Sequence, residues 1–147
     1  GKHVPPELMQ MVYKLKGPDN LALITDSMRA AGTDVTESFL GKPGSGNSVI
    51  IEDGVAKLPD RSFYAGSIAT ADRVIQNSYF KVGLPLHDVI KMMSLTPCRI
   101  LGIDKRKGSL EKGKDADIVI FDEKLNVDSV FVEGKLKYKA GKKPARN

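Results

Sequence analysis

The chain has little cysteine, no tryptophan and few histidines, and each shortage closes off a class of function. One cysteine, Cys98, leaves no internal disulfide to form, so a reducing, cytoplasmic setting is expected. Two histidines, His3 and His87, with one cysteine and scattered carboxylates do not make a metal site at recognisable spacing. No apolar run approaches the roughly 20 residues that span a bilayer, and Gly1-Lys2-His3-Val4-Pro5-Pro6 lacks the apolar core of a signal peptide. There is no His-x-His pair, no phosphate-binding glycine loop with lysine and no Gly-x-Ser-x-Gly elbow.

Acidic residues are absent from 134–147, where Lys135, Lys137, Lys139, Lys142, Lys143 and Arg146 lie. The formal net charge is +5, so without those six cations the rest of the chain stands at −1. Basic character is therefore a property of a solvated tail rather than of a groove. With Tyr138 the lone aromatic among those lysines, nucleic-acid binding is not expected.

What is present is ordinary for a globular protein: 41% hydrophobic and 28% charged residues over 147 positions, enough for a core. Pro5-Pro6 suits a helix start, Leu8, Val12 and Leu15 recur at helical spacing, and Gly17-Pro18 stops the helix. Leu21–Thr25 is an unbroken apolar run, the pattern of a strand buried on both faces of a parallel sheet. From Met28 to Ser67 the sequence turns glycine-rich and irregular, with a hairpin predicted across Asp53-Gly54. Thr70 is placed to cap a helix carrying Val74, Ile75, Tyr79 and Val82, ended by Gly83. Leu86–Met93 and a segment from Thr96 to Gly102 read as two more helices. Ile118–Phe121 reads as a strand, and Glu133-Gly134 as the turn of a second hairpin. A lone parallel strand needs neighbours joined by crossovers, so the chain is expected to be part of a longer fold.

Asp26 is the sharpest chemical candidate. A carboxylate at the C-terminal end of a buried strand is where α/β barrels build active sites, and there it serves as general base and acid. The competing reading is an aspartate capping the next turn. His3 reads as a loop residue, surface or ligand, and His87 as a solvated or capping residue. Tyr64-Ala65-Gly66-Ser67 is a small-residue turn ahead of a helix, whose N–H groups suit an anion or sugar oxygens as readily as a plain turn. Cys98 lies among core-like residues with no histidine near it in sequence, which argues against a nucleophile.

Four stretches carry a resemblance. Leu23-Ile24-Thr25-Asp26-Ser27-Met28, Gly1-Lys2-His3-Val4, Tyr64-Ala65-Gly66-Ser67, and the run from Thr96 to Gly102 with Lys107 to Asp117 resemble the N-acetylglucosamine-6-phosphate deacetylases. The last of these marks the wider amidohydrolase superfamily without choosing a substrate. Ser27 stands where alanine is usual, and Tyr64 where leucine is usual. The resemblance implies an α/β fold: the C-terminal portion of a metal-dependent (β/α)8 TIM barrel plus part of a small β-sandwich. Residues 1–104 would hold the last barrel strand, the hairpin insertion and the closing helices, and 105–147 the sandwich segment with the basic tail. It implies Asp26 as the catalytic residue, with His3, Tyr64, Ala65 and Gly66 binding the substrate. It also implies a divalent metal, zinc or iron, whose glutamate and two histidine ligands lie on earlier strands outside this chain. The expected reaction is hydrolysis of the acetamide of a phosphosugar in amino-sugar catabolism, by a homodimer when full length, with the isolated chain inactive. Other readings are a dihydroorotase-like or adenine deaminase-like amidohydrolase, or a non-catalytic folding or interaction module.

Overall fold

A computed structural model describes residues 2–42 and 45–141. Helix α1 (Pro6–Lys16) is followed by a three-stranded unit, β1 (Glu37–Leu40), β2 (Asn47–Glu52) and β3 (Val55–Lys57). Next come α2 (Ala71–Gln76), α3 (Leu86–Met93) and α4 (Leu95–Ile100), then β4 (Ile118–Phe121), β5 (Val127–Val132) and β6 (Lys135–Lys139). Both sheets are antiparallel, in the orders β1-β2-β3 and β4-β5-β6.

Turn chemistry accounts for both hairpins. Asp53 (φ 51°) and Gly54 (φ 73°), like Glu133 (φ 50°) and Gly134 (φ 73°), take left-handed conformations at both central positions. Two consecutive positive φ values match the twist of the flanking strands. At α1 the missing N–H of Pro6 costs nothing in the first turn, and Gly17 at φ 70° ends the helix, its N–H donating to the Tyr13 carbonyl. The helix predicted over 70–82 forms in two parts. α2 gives way to a π-helical turn, Asn77–Lys81, in which Val82 N–H reaches back five residues to Asn77 at 3.0 Å. Thr70 occupies the N-cap position with extended backbone, but its hydroxyl makes no capping bond, contrary to expectation.

The core lies where α1, the segment after it, α2 and α3 converge. Val82, Leu84, Val89 and Met92 are buried together, with Met9, Tyr13, Leu21, Leu23 and Ile75 packed against them. The loop after α1 is tied to the last helices: Thr96 donates to the Pro18 carbonyl at 2.7 Å, and Asp19 pairs with Lys91 and Arg99. Those hydrogen bonds, from Lys91 first, hold the Asp19 carboxyl below the usual carboxylate range.

Leu21–Thr25 corrects the sequence expectation. The segment belongs to no strand, and it is half-buried rather than covered on both faces. Leu21 and Leu23 face the core while Ile24 is 72% exposed. Among the described residues no strand lies beside it, so its backbone polar groups find only scattered partners, such as Leu23 N–H to the Met92 carbonyl at 2.9 Å.

The signature from Lys107 to Asp117 is a structural clasp. Lys107 pairs with Asp115 (3.0 Å) and with Asp117, Arg106 pairs with Asp115 (2.9 Å), and Asp117 accepts from Glu133 N–H (2.9 Å). The clasp thereby holds the β5–β6 turn. Gly108 is needed for close approach: a Cβ there would stand 2.9 Å from Leu95 Cα and 3.0 Å from Cys98 Sγ. Cys98 thus serves as a small packing residue against α4's neighbour loop.

The clasp makes stability depend on acid. Hydrogen bonds from Lys107 hold both Asp115 and Asp117 below the usual carboxylate range, helped by Arg106 at Asp115 and by Glu133 N–H at Asp117. A depressed folded value means that the unfolded chain binds the proton first on acidification. The contribution is therefore complete above about pH 4 and is lost as pH falls through the folded values. Denaturation midpoints measured from about pH 5 to 2 are expected to fall, and Lys107→Met is expected to flatten that limb; an unchanged slope in the variant would refute the assignment.

Candidate functional site

A cleft of about 780 Å³ opens between α1, residues 21–26, the Asp53-Gly54 turn, residues 67–69 and the π-helical turn. Asp26 and His3 both line it, although one follows Leu21–Thr25 and the other comes from the bend before α1. Asp26 is exposed and left-handed (φ 50°), a conformation aspartate tolerates better than branched residues. Its carbonyl accepts from Ser67 N–H at 3.3 Å, and Ser67 returns the tie by accepting Met28 N–H at 2.8 Å. A parallel bridge between Ser27 and Ser67 completes the junction. Ser27, the departure from alanine, does not line the cleft: its hydroxyl donates to the Ala69 carbonyl.

The turn at 64–67 sits across this junction. Tyr64 is 48% exposed and its ring lies 4.8 Å from the His3 ring, centre to centre, at a tilt of 54°. Ala65 is buried and donates its N–H to the Ala56 carbonyl at 2.9 Å. The N–H groups of Ala65 and Ser67 are therefore committed to protein carbonyls, which leaves them unable to grip an anion. The cleft wall is formed by Ser67, Ile68 and Ala69, while Tyr64, Ala65 and Gly66 do not line it.

Charge in the cleft is one-sided. Asp26 is its only carboxylate among the described residues, whereas Lys2, Arg73 and Lys81 also line it. Arg73 donates to the Gly54 carbonyl at 3.2 Å, which fixes it against the hairpin turn. Such a balance favours an anionic ligand. Ser78, from the π-helical turn, also reaches the cleft; it is buried, and its hydroxyl has no hydrogen-bond partner among the described residues. Sequence reading passed over both Arg73 and Ser78. Ser78 follows Val74 by four residues, so a polar group on the apolar stripe was the available signal. His87 stands apart, with its side chain 81% exposed and 3.2 Å from Asp88. No described group of three or more His, Cys, Asp or Glu side chains is placed to hold a metal ion.

Comparison with known proteins places this arrangement. The amidohydrolase family profile matches residues 19–137. The chain belongs to the amidohydrolase family. This amidohydrolase chain is 36% identical over 135 residues to an N-acetylglucosamine-6-phosphate deacetylase of Lysinibacillus sphaericus, covering 92% of itself and 33% of that protein. It is 33% identical over 136 residues to an N-acetylgalactosamine-6-phosphate deacetylase of Escherichia coli O157:H7, covering 92% of itself and 34% of the relative. Among solved structures, the N-acetylglucosamine-6-phosphate deacetylase of Pasteurella multocida superposes with a TM-score of 0.84 at 30% identity, over 92% of this chain and 34% of that one. The chain thus spans about a third of the length of the relatives it matches. That likeness makes the mixed α/β arrangement a portion of the family's TIM barrel with part of its β-sandwich.

Proposed function

We propose that the chain supplies the proton-transfer and sugar-orienting side of an N-acetylglucosamine-6-phosphate deacetylase, a carbon–nitrogen hydrolase that releases acetate and the free amino sugar phosphate. One observation carries the reading: Asp26, the sole described carboxylate in a cleft bordered by cations, shares that cleft with His3. Asp26 takes a proton from the attacking water and returns it to the leaving nitrogen. His3 orients the sugar, Tyr64 stands against the His3 ring from outside the cleft lining, and Ala65 and Gly66 support the wall formed by Ser67–Ala69. The cationic border suits the 6-phosphate.

Asp26 and His3 do not form a metal site by themselves, since no third donor joins them among the described residues. The divalent metal that family chemistry implies, zinc or iron in this reading, belongs with donors outside those residues. The same reading divides the chain near residue 104 into barrel and sandwich portions and takes the full-length protein as a cytoplasmic homodimer. Among the described residues no helix is long and apolar enough to cross a membrane.

A galactosamine substrate is the second reading, because a relative of that name is as similar as several of the glucosamine enzymes. Acetate release by the full-length protein carrying this chain separates the two. A higher kcat/KM with N-acetylglucosamine 6-phosphate is expected; preference for the galactosamine epimer would reassign the substrate, and turnover of neither would overturn the deacetylase reading.

A further inference from the structure

We infer that Tyr64 is a positioning residue that sets the orientation of the His3 imidazole, an inference that rests on the reading of His3 as the sugar-orienting group. His3 needs such a partner. It is exposed, it lies in a bend just before Pro5-Pro6, and its side chain makes no hydrogen bond among the described residues. A histidine that orients a ligand normally has its ring set by a hydrogen bond that it donates to a carboxylate or carbonyl. Here that role falls to an aromatic contact, 4.8 Å between ring centres at a 54° tilt, within the separation over which ring quadrupoles interact.

Tyr64 is itself held in place. Tyr64 bridges Lys57 of β3 in antiparallel fashion, Leu58 N–H donates to the Phe63 carbonyl at 3.0 Å, and Ala65 N–H to Ala56 at 2.9 Å. Lys57 is anchored to Glu52 at 2.9 Å and to Asp53 at 2.8 Å, and Arg61, left-handed at φ 62°, reaches Glu52 at 2.9 Å. The ring therefore projects from a braced turn onto the bend that carries His3. Leucine, usual at this position in the resembling sequences, would touch His3 without directing it: it has no ring face or edge. Binding oriented in this way is shared by ground state and transition state, so its loss appears in KM rather than kcat.

The test uses the full-length protein carrying this chain, with histidine labelled by ¹³C at Cε1 and the His3 resonance assigned through His3→Gln. Tyr64→Leu and Tyr64→Met are expected to shift the His3 resonance as the ring current is lost, while Tyr64→Phe leaves it in place. For acetate release, the two non-aromatic variants are expected to raise KM about threefold to tenfold at similar kcat, with Tyr64→Phe recovering KM. In a His3→Gln background the Tyr64→Leu effect on KM is expected to vanish. A His3 resonance unmoved in both non-aromatic variants, or a KM effect that persists without His3, would overturn the inference. The resonance is read without substrate. Its shift in a protein that releases no acetate would uphold the positioning while removing the deacetylase reading.

Discussion

Asp26→Asn in the full-length protein is expected to lower kcat for acetate release by about a hundredfold to ten-thousandfold, with KM little changed. Asparagine matches aspartate in size and tolerates the left-handed backbone at φ 50°. The ties at the junction are main-chain ones at this residue, Asp26 carbonyl to Ser67 N–H, so they survive the change. What is lost is the only described carboxylate able to accept a proton in the cleft. Steady-state kinetics beside a denaturation curve make the check. Unaltered stability with collapsed kcat is the expected pair of results, and near-native kcat would remove Asp26 from the proton-transfer role.

The largest effect on stability is expected from Met92→Ala, at about 2–5 kcal/mol. Met92 is fully buried at the centre of the cluster formed by Val82, Leu84 and Val89. Truncation leaves a cavity beneath Leu21 and Leu23, which pack on that cluster and also line the cleft. The main-chain bond from Leu23 to the Met92 carbonyl remains, so the loss is one of packing rather than of hydrogen bonding. A lower denaturant midpoint at unchanged slope is the expected readout. Leu110, 76% exposed, provides the contrast: Leu110→Ala is expected to stay within about 0.5 kcal/mol. Equal costs at the two positions would mean that the core does not lie where α1, α2 and α3 meet.

Local chemistry was the part most legible in sequence. Asp53-Gly54 and Glu133-Gly134 announced their hairpins because positive φ at two adjacent positions is a requirement few residues meet. Gly17-Pro18 stopped α1 for a similarly local reason. β1 escaped notice because Phe39 and Leu40 are both substantially exposed and give no alternation. The π-helical turn escaped because it differs from the α-helix by one inserted residue, which apolar spacing does not register.

The site divides in the same way. Asp26 stood out as a candidate from its place after an apolar run, and His3 and Tyr64 as candidates from the motifs around them. Their meeting was not, since His3 and Tyr64 are distant in sequence and are joined only by the fold of the hairpin. Whether Leu21–Thr25 is a strand was likewise outside the reach of its own residues. Apolar side chains encode a wish to be buried, but a strand exists only when neighbouring backbones complete its hydrogen bonds. By itself, then, the sequence determined both hairpin turns, the end of α1, the family and a candidate for proton transfer, because each depends on side chains close together along the chain. Tertiary structure alone decided which groups face one cleft, that Ala65 spends its N–H on Ala56, and that an aromatic ring stands beside His3. Those outcomes depend on distances in space between segments that the chain order keeps apart.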